Sequence, residues 1–363
     1  MIVSARRLVA SGHDAPGWLE IENGVVVARG DGVRESPLGT VVPGFVDMHA
    51  HGALGHDVGS TDAAGLAEVI GYHAARGTTS LVASVATAAL DALHAAVSML
   101  RPFVERGDLA GTHLEGPYLS PLRRGAHNPA LLREPRLDEI RALVADGVGT
   151  VRMITIAPEL AGAEESIRWL AAHDVVVAVG HSDADAAGAR AAFGWGATVV
   201  THLFNGMRPL HHRDPGIVGA ALTDDRVTVE LILDGQHVAA ETAEIARRSA
   251  PARLALVSDS MSATGCGDGD YDLAGSAVRV SNGVATLVAG DSLAGSTATV
   301  STGFGILHRL GTPLTEAVAM TSTTPARALG LPEPLAVGSA ADLLVVDSGR
   351  VERVMRRGIW LAS

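Results

Sequence analysis

Six residues able to bind a divalent metal, His49, His51, Glu115, His181, His202 and Asp259, lie at the ends of short apolar runs along this chain. His49 and His51 close the run Val41-Val42-Pro43-Gly44-Phe45-Val46-Asp47-Met48-His49-Ala50-His51. Side chains on a strand alternate with period two, so both imidazoles fall on one side, and imidazole is the commonest metal ligand at neutral pH. A lone His-x-His serves equally well as a satisfied structural pair, and a lone Glu115 before the Gly116-Pro117 break reads most simply as a solvated loop residue. The weight comes from repetition. His181 in Val179-Gly180-His181-Ser182-Asp183 and His202 in Val199-Val200-Thr201-His202-Leu203-Phe204-Asn205 stand at matching places on successive runs, and Asp259 closes Leu256-Val257-Ser258-Asp259-Ser260. Several imidazoles with carboxylates and an open position for water form the pattern of a catalytic metal site, and such nitrogen and oxygen donors suit zinc.

Such a site requires elements that bring distant residues together. Between about residues 44 and 260, eight β-rich runs alternate with alanine-rich, helix-favouring segments. The runs are Gly44 to His49, Thr79 to Ser84, Gly111 to Glu115, Val151 to Ala157, Val175 to His181, Thr198 to His202, Val227 to Asp234 and Leu254 to Asp259, with helices such as Ala63 to Ala75 and Glu164 to His173. Buried parallel strands read this way, and eight of them predict an α/β fold, a TIM (β/α)8 barrel, whose active site lies at the carboxyl ends of the strands. The chain ends read as antiparallel β: Asn23-Gly24 and Asn282-Gly283 are hairpin turn signals, and Asp342 to Asp347 and Val351 to Trp360 supply late strands. We expect residues 1–42 and 331–363 to form one small β-sandwich beside a barrel at 43–330, with the hairpin at 270–290 a candidate addition to the sandwich.

Composition removes several classes of function. No lysine occurs among the 363 residues, so all 28 basic residues are arginine. Schiff-base chemistry is thereby excluded, as is a metal pair bridged by a carbamylated lysine, and any bridge must be a carboxylate. Cys266 is the only cysteine, which rules out intrachain disulfides and thiolate clusters. A net charge of -12 without a basic run argues against nucleic acid or membrane as partner, no stretch approaches the ~20 apolar residues of a membrane span, and no secretory signal is recognisable. The expectation is a cytoplasmic enzyme. Glycine-rich stretches lack a phosphate-loop lysine, which argues against nucleotide hydrolysis.

The ordered set Pro43-Gly44-Phe45-Val46-Asp47 with His49 and His51, His113-Leu114-Glu115-Gly116-Pro117, Gly125-Ala126-His127-Asn128-Pro129, Gly180-His181-Ser182, Thr201 to Met207, Arg213-Asp214-Pro215-Gly216, Asp234-Gly235-Gln236-His237, Ser258-Asp259 and Leu293-Ala294-Gly295-Ser296 resembles the N-acetylglucosamine-6-phosphate deacetylase family of the amidohydrolase superfamily over nearly the whole length. The resemblance implies Glu115, His181 and His202 as ligands of one divalent metal, with zinc expected. It implies His49 and His51 at a second metal position, with Glu115 as bridge and Asp259 as a further ligand. It implies Asp259 as general base and then general acid for a metal-activated water, and His127 as the group polarising the acetyl carbonyl. Arg213 and His237 resemble phosphate binders, Asn205 and Gly206 offer amide contacts, and Ala126, Leu293, Ala294 and Gly295 complete the substrate site. Arg213 reaches across a dimer interface in that family, so a homodimer is implied. Gly206 stands where the family often has alanine and Ala294 where it often has serine. The expected substrate is a small amino-sugar phosphate. The alternatives are another barrel amidohydrolase acting on a cyclic amide, an N-acyl amino acid or a deaminase substrate, which would not need Arg213 and His237, and a non-catalytic barrel, which would not need the six ligands. His211 and His212 read as a solvated pair, His56, His73, His94, His173 and His308 as residues without partners, and Cys266 as a bystander thiol.

Overall fold

Eight short runs rich in β-branched residues form one parallel sheet in sequential order. They are β1 (Phe45–Ala50), β2 (Thr78–Ala86), β3 (Gly111–Glu115), β4 (Val151–Ile156), β5 (Val176–Val179), β6 (Val199–Val200), β7 (Thr228–Ile232) and β8 (Leu254–Val257). The structure is a computed structural model and describes residues 1–10, 12–290 and 292–362. Ser363, the last residue of the expected second sandwich segment, lies outside the described residues. The sheet curls until its edges meet: the Asp259 N–H donates to the His49 carbonyl at 2.9 Å, and Ala50 bridges to Ser260 in parallel. Helices lie between successive strands, among them Ala63–Ala75 and Ala186–Trp195. The Asp62 and Asp185 carboxylates cap these two by accepting from the N–H groups of Gly65 and Gly188, which satisfies donors that a first helical turn leaves free. All eight expected strands are present, and the expected helix from Glu164 spans Ala163–Ala171.

The barrel interior is layered. Val46, Met48, Val82, Met153, Ala178, Val199, Ile232, Ala255 and Val257 form an apolar plug, joined by Ala326 and Leu329. Above it His113 bonds Ser84 Oγ at 2.9 Å and Thr155 Oγ1 at 2.8 Å, so the buried imidazole has both nitrogens satisfied. On β1 the plug takes Val46 and Met48 while Phe45 and Ala50 pack in the outer core. A register shift between Asp47 and Ala50 in the pairing with β2 changes the parity, and that lets His49 and His51 face the mouth. At the entry to β1 a side chain on Gly44 would come 2.0 Å from Thr79 Oγ1, so only glycine lets the chain pass.

Both chain ends build a second sheet of seven strands, in the order Ile359–Trp360, Arg350–Arg356, Leu343–Asp347, Leu38–Pro43, Ile2–Ala10, His13–Glu22 and Val25–Asp31. It folds over a core of Val3, Leu8, Leu19, Ile21, Val26, Val41, Leu343 and Met355. Its far edge returns to the chain leading into Leu343, where the Val26 N–H donates to the Ser339 carbonyl at 3.0 Å. The two layers of the expected sandwich thus belong to one continuous ladder. The 270–290 hairpin does not join it. Gly269–Leu273, Ser276–Ser281 and Val284–Leu287 form a separate three-stranded sheet that packs on Met261, Ala263 and Ala294 at the barrel mouth. The Asn-Gly turn signal reports a local hairpin and carries no information about its tertiary neighbour.

Candidate metal centre and substrate cavity

The carboxyl ends of the strands converge on one buried group of donors. Glu115 ends β3, while His181, His202 and Asp259 each stand two residues beyond the last ladder residue of β5, β6 and β8. Those three have φ of 45°, 26° and 47°, the sparsely populated left-handed region. This backbone turn is of the kind stored at functional sites, and it sets the direction of side chains that strand alternation alone would not place. Glu115 Oε1 lies 3.1 Å from His181 Nε2 and from His202 Nε2, and these two nitrogens are 3.1 Å apart. Glu115 Oε2 lies 3.2 Å from His51 Nε2, and Asp259 Oδ1 is 3.2 Å from His51 Nε2 and 3.5 Å from His49 Nε2. His49 and His51 bring their Nε2 atoms to 3.1 Å. Glu115 therefore stands between two groups of donors.

The partners of the other ring nitrogens assign the tautomers. His51 Nδ1 is 2.8 Å from the Ser84 carbonyl and His181 Nδ1 is 2.9 Å from the Arg123 carbonyl. Carbonyls only accept, so both Nδ1 atoms carry the proton and both Nε2 atoms present bare lone pairs to carboxylate oxygens. Lone pairs facing one another at this spacing need a cation between them. The separations of 3.1–3.5 Å are close to the edge, roughly 3.3 Å, of a tetrahedron with metal bonds of about 2.0–2.1 Å. The carboxylates also make the cluster favour positive charge: burial alone would lower the His51 pKa, yet hydrogen bonds to Asp259 and Glu115 carry it up to about 9, a proton on Nε2 standing where a cation would. Burial would likewise raise Asp259, but the imidazoles of His49 and His51 hold it well below the usual carboxylate range. The residues fit a divalent metal: His49, His51 and Asp259 group together, as do Glu115, His127 and His181.

His127 differs from the other four. The Thr87 N–H donates to its Nδ1 at 3.4 Å, so Nε2 carries the proton and faces Glu115 Oε2 at 3.4 Å. It offers a hydrogen, whereas His202 Nε2 lies 3.1 Å from both Glu115 Oε1 and His181 Nε2. Glu115 Oε1, His181 Nε2 and His202 Nε2 thus form a triangle with sides of 3.1 Å. Burial, reinforced by His181, pushes the His127 pKa down to about 4, which keeps the ring neutral at pH 7 and able to donate one hydrogen bond.

Above the donors opens a cavity of about 380 Å³ lined in part by His51, Glu115, Ala126, His127, His181, His202, Asn205, Gly206, His237, Asp259, Leu293 and Gly295. Two expected substrate residues are not on its wall. Ala294 is buried with the hairpin sheet, its N–H already donated to the Ala285 carbonyl at 3.1 Å. Arg213 is exposed, with Nη1 2.7 Å from His212 Nε2, so the chain does not bring it to its own cavity. Arg123 lines the cavity, donates from Nε to Asp183 at 2.8 Å, and was not singled out by sequence, where nothing distinguishes it from neighbouring Arg124. Glu230 was also missed, although a lone acid in the apolar run Thr228–Ile232 is a usable signal, because a buried carboxylate needs a partner. The expectation that several histidines lack partners is corrected. His94 Nδ1 meets Asp146 Oδ2 at 2.6 Å, His56 Nε2 lies 3.4 Å from Glu68 Oε2, His173 Nδ1 is 2.7 Å from the Trp169 carbonyl, and buried His73 meets Ser260 Oγ at 3.2 Å. Helical and loop histidines acquire partners from packing that a linear reading does not contain.

Residues 40–361 match the amidohydrolase family. The chain is 37% identical to an N-acetylgalactosamine-6-phosphate deacetylase of Escherichia coli O157:H7, covering 98% of each. It is 38% identical to the N-acetylglucosamine-6-phosphate deacetylase of Vibrio furnissii, over 90% of this chain and 86% of that one. A solved structure of a mutant N-acetyl-D-glucosamine-6-phosphate deacetylase from Mycobacterium smegmatis, in complex with N-acetyl-D-glucosamine-6-phosphate, superposes with a TM-score of 0.96 at 44% identity, covering 99% of this chain and 98% of that chain.

Proposed function

The chain belongs to the N-acetylglucosamine-6-phosphate deacetylases of the amidohydrolase family, and from that premise we propose that it hydrolyses N-acetyl-D-glucosamine 6-phosphate to D-glucosamine 6-phosphate and acetate. One observation carries the reading: a single cavity joins the donor groups around Glu115, the hydrogen-bond donor His127 and the half-buried His237. Glu115, His181 and His202 would hold one divalent ion, and His49 and His51, with Glu115 as bridge and Asp259 as a further ligand, a second; such an ion would lower the pKa of a water to about 7 and draw charge from the acetyl carbonyl. The donor set of imidazole and carboxylate favours zinc.

In this proposal Asp259 accepts the proton of the attacking water and returns it to the departing sugar amine, one carboxylate serving as base and then acid. His127 donates to the carbonyl oxygen as negative charge develops there, the kind of stabilisation usually worth most in acyl transfer. The 6-phosphate sits against His237, with Asn205 and Gly206 supplying amide contacts. His237 is suited to an anion. Burial would lower its pKa, but Asp234 Oδ2, 2.7 Å from Nδ1, outweighs burial and raises it. Arg213, exposed on its own subunit, is assigned to the phosphate of a partner subunit in a homodimer. Residues 1–42 and 331–363 are proposed to form one unit beside a barrel unit of 43–330, which the shared seven-stranded sheet supports. No described helix is long and apolar enough to cross a membrane. A cytoplasmic setting is proposed from the phosphorylated substrate and from the single free cysteine, Cys266, since secreted domains commonly carry disulfides.

The test is acetate release by purified protein from N-acetylglucosamine 6-phosphate, with the unphosphorylated sugar as control. Release that requires the phosphate and stops on chelation is expected. A metal-replete protein that releases no acetate from the ester would overturn the assignment. The galacto epimer should be assayed in parallel, because one relative covered along 98% of its length carries that name.

A further inference from the structure

Behind His49 lies a carboxylate that the proposed reaction does not use. Glu230 projects from β7 and is fully buried. Its Oε2 lies 3.1 Å from His49 Nδ1 and accepts the His202 backbone N–H at 3.2 Å, while Oε1 has no hydrogen-bond partner among the described residues. None of the hydrogen bonds or ion pairs at Glu230 involves an arginine. A carboxylate is an acceptor only, so His49 Nδ1 carries the proton and Nε2 is left bare, pointing at His51 Nε2. The other rings are oriented differently. His51 and His181 donate to neutral carbonyls, and His202 Nδ1 has no partner among the described residues. Only His49 of these four is backed by an anion.

We propose that Glu230 is a positioning residue that decides whether the second metal position fills. It fixes the His49 tautomer, makes that imidazole a stronger donor and supplies negative charge that favours a cation at His49 and His51. The position built on Glu115, His181 and His202 takes its orientation from the Arg123 carbonyl and depends on Glu230 only through a backbone contact. Removing a carboxylate behind a metal-bound histidine typically lowers metal affinity about 10–100-fold. The inference rests on the two-position reading given above.

The experiment compares the full-length protein with Glu230→Gln, which keeps the shape and loses the charge. Each is loaded with zinc, dialysed against graded chelator and its bound zinc counted, and cobalt(II) loading gives an absorption spectrum for each position independent of turnover. The wild type is expected to hold two ions per subunit. The Gln variant is expected to hold one, with affinity for the second lowered roughly 10–100-fold and affinity for the first unchanged. Two ions of unchanged affinity in the variant would overturn the inference, and so would loss of both, which would make Glu230 a general support. A single ion in the wild type would instead overturn the two-position reading, and this inference with it. If Glu230→Gln does not fold, Glu230→Asp is measured the same way: the shorter reach is expected to weaken only the second ion, and wild-type affinity for both would overturn the inference.

Discussion

The chemistry of the site resides in which ring nitrogen carries a proton. His51 and His181 are fixed by carbonyl acceptors and present lone pairs, whereas His127 is fixed by a backbone donor and presents a hydrogen. Identical side chains thus take opposite roles within one cavity. With the 6-phosphate against His237 as proposed, the raised pKa of His237 and the lowered pKa of Asp234 would give a pH dependence of definite sign. The protonated imidazole would contribute to phosphate binding and to stability fully below its unfolded value of about 6.5, and that contribution would fade as pH rises through the higher folded value. The partner's contribution runs the other way, present above the ordinary aspartate range and lost as pH falls through the depressed value. KM for the phosphate ester should therefore rise on the alkaline side while KM for the unphosphorylated sugar stays flat. Asp234→Asn should move that rise to lower pH and increase KM at neutral pH roughly tenfold, the scale of one charge-assisted hydrogen bond. Steady-state kinetics across pH would show it, and an identical limb for both sugars would remove His237 from the phosphate site.

The barrel is held in register partly by features away from its mouth. Arg253, immediately before β8, is 8% exposed and donates to the carbonyls of Ala221, Leu222, Val227 and Ser249 at 2.8–3.3 Å. Three of these acceptors end the helices Gly216–Leu222 and Ala240–Ser249, where carbonyls lack intrahelical partners and the helix dipole favours a cation. One guanidinium therefore ties two helix ends to the approach of two strands. Arg253→Ala should cost about 3 kcal/mol, since several buried acceptors lose their donor at about 1–3 kcal/mol each and water recovers part of that. A lower urea midpoint at fixed metal load is the readout, and an unchanged midpoint would show that solvent replaces the guanidinium without loss.

At the scale of the whole molecule, a chain of net charge -12 must hold a dianionic phosphate in a locally positive place. The loop carrying Arg213 is tied to the cavity wall by alternating charges: Asp214 meets Arg208 at 3.2 Å, Arg208 meets Asp183 at 3.0 Å, and Asp183 meets Arg123 at 2.8 Å. This arrangement leaves Arg213 outward, as the proposed shared site would require. If Arg213 serves the neighbouring subunit, mixing inactive Asp259→Asn with inactive Arg213→Ala and allowing exchange should restore activity. Hybrid dimers contain one site with both defects and one with neither, so a random equimolar mixture should reach about a quarter of wild-type activity. No recovery after verified exchange would place Arg213 in its own subunit's site or in none.

The sequence by itself determined the eight strands, the helices between them, the donor types and their order, because hydrophobic periodicity and turn chemistry are local and six residues able to bind a metal at strand ends form a pattern independent of distance. Strand alternation also put His49 and His51 on a common side, although it did not reveal the register shift near Asp47 that turns that side toward the mouth. Only the tertiary structure decided the rest. The left-handed backbone at His181, His202 and Asp259, the proton on His127, the carboxylate behind His49 and the hairpin at the barrel mouth rather than in the end sheet all depend on contacts between residues far apart in the chain. A side chain's type states which bonds it can make. Which of them it does make is fixed by neighbours that only the closed barrel supplies.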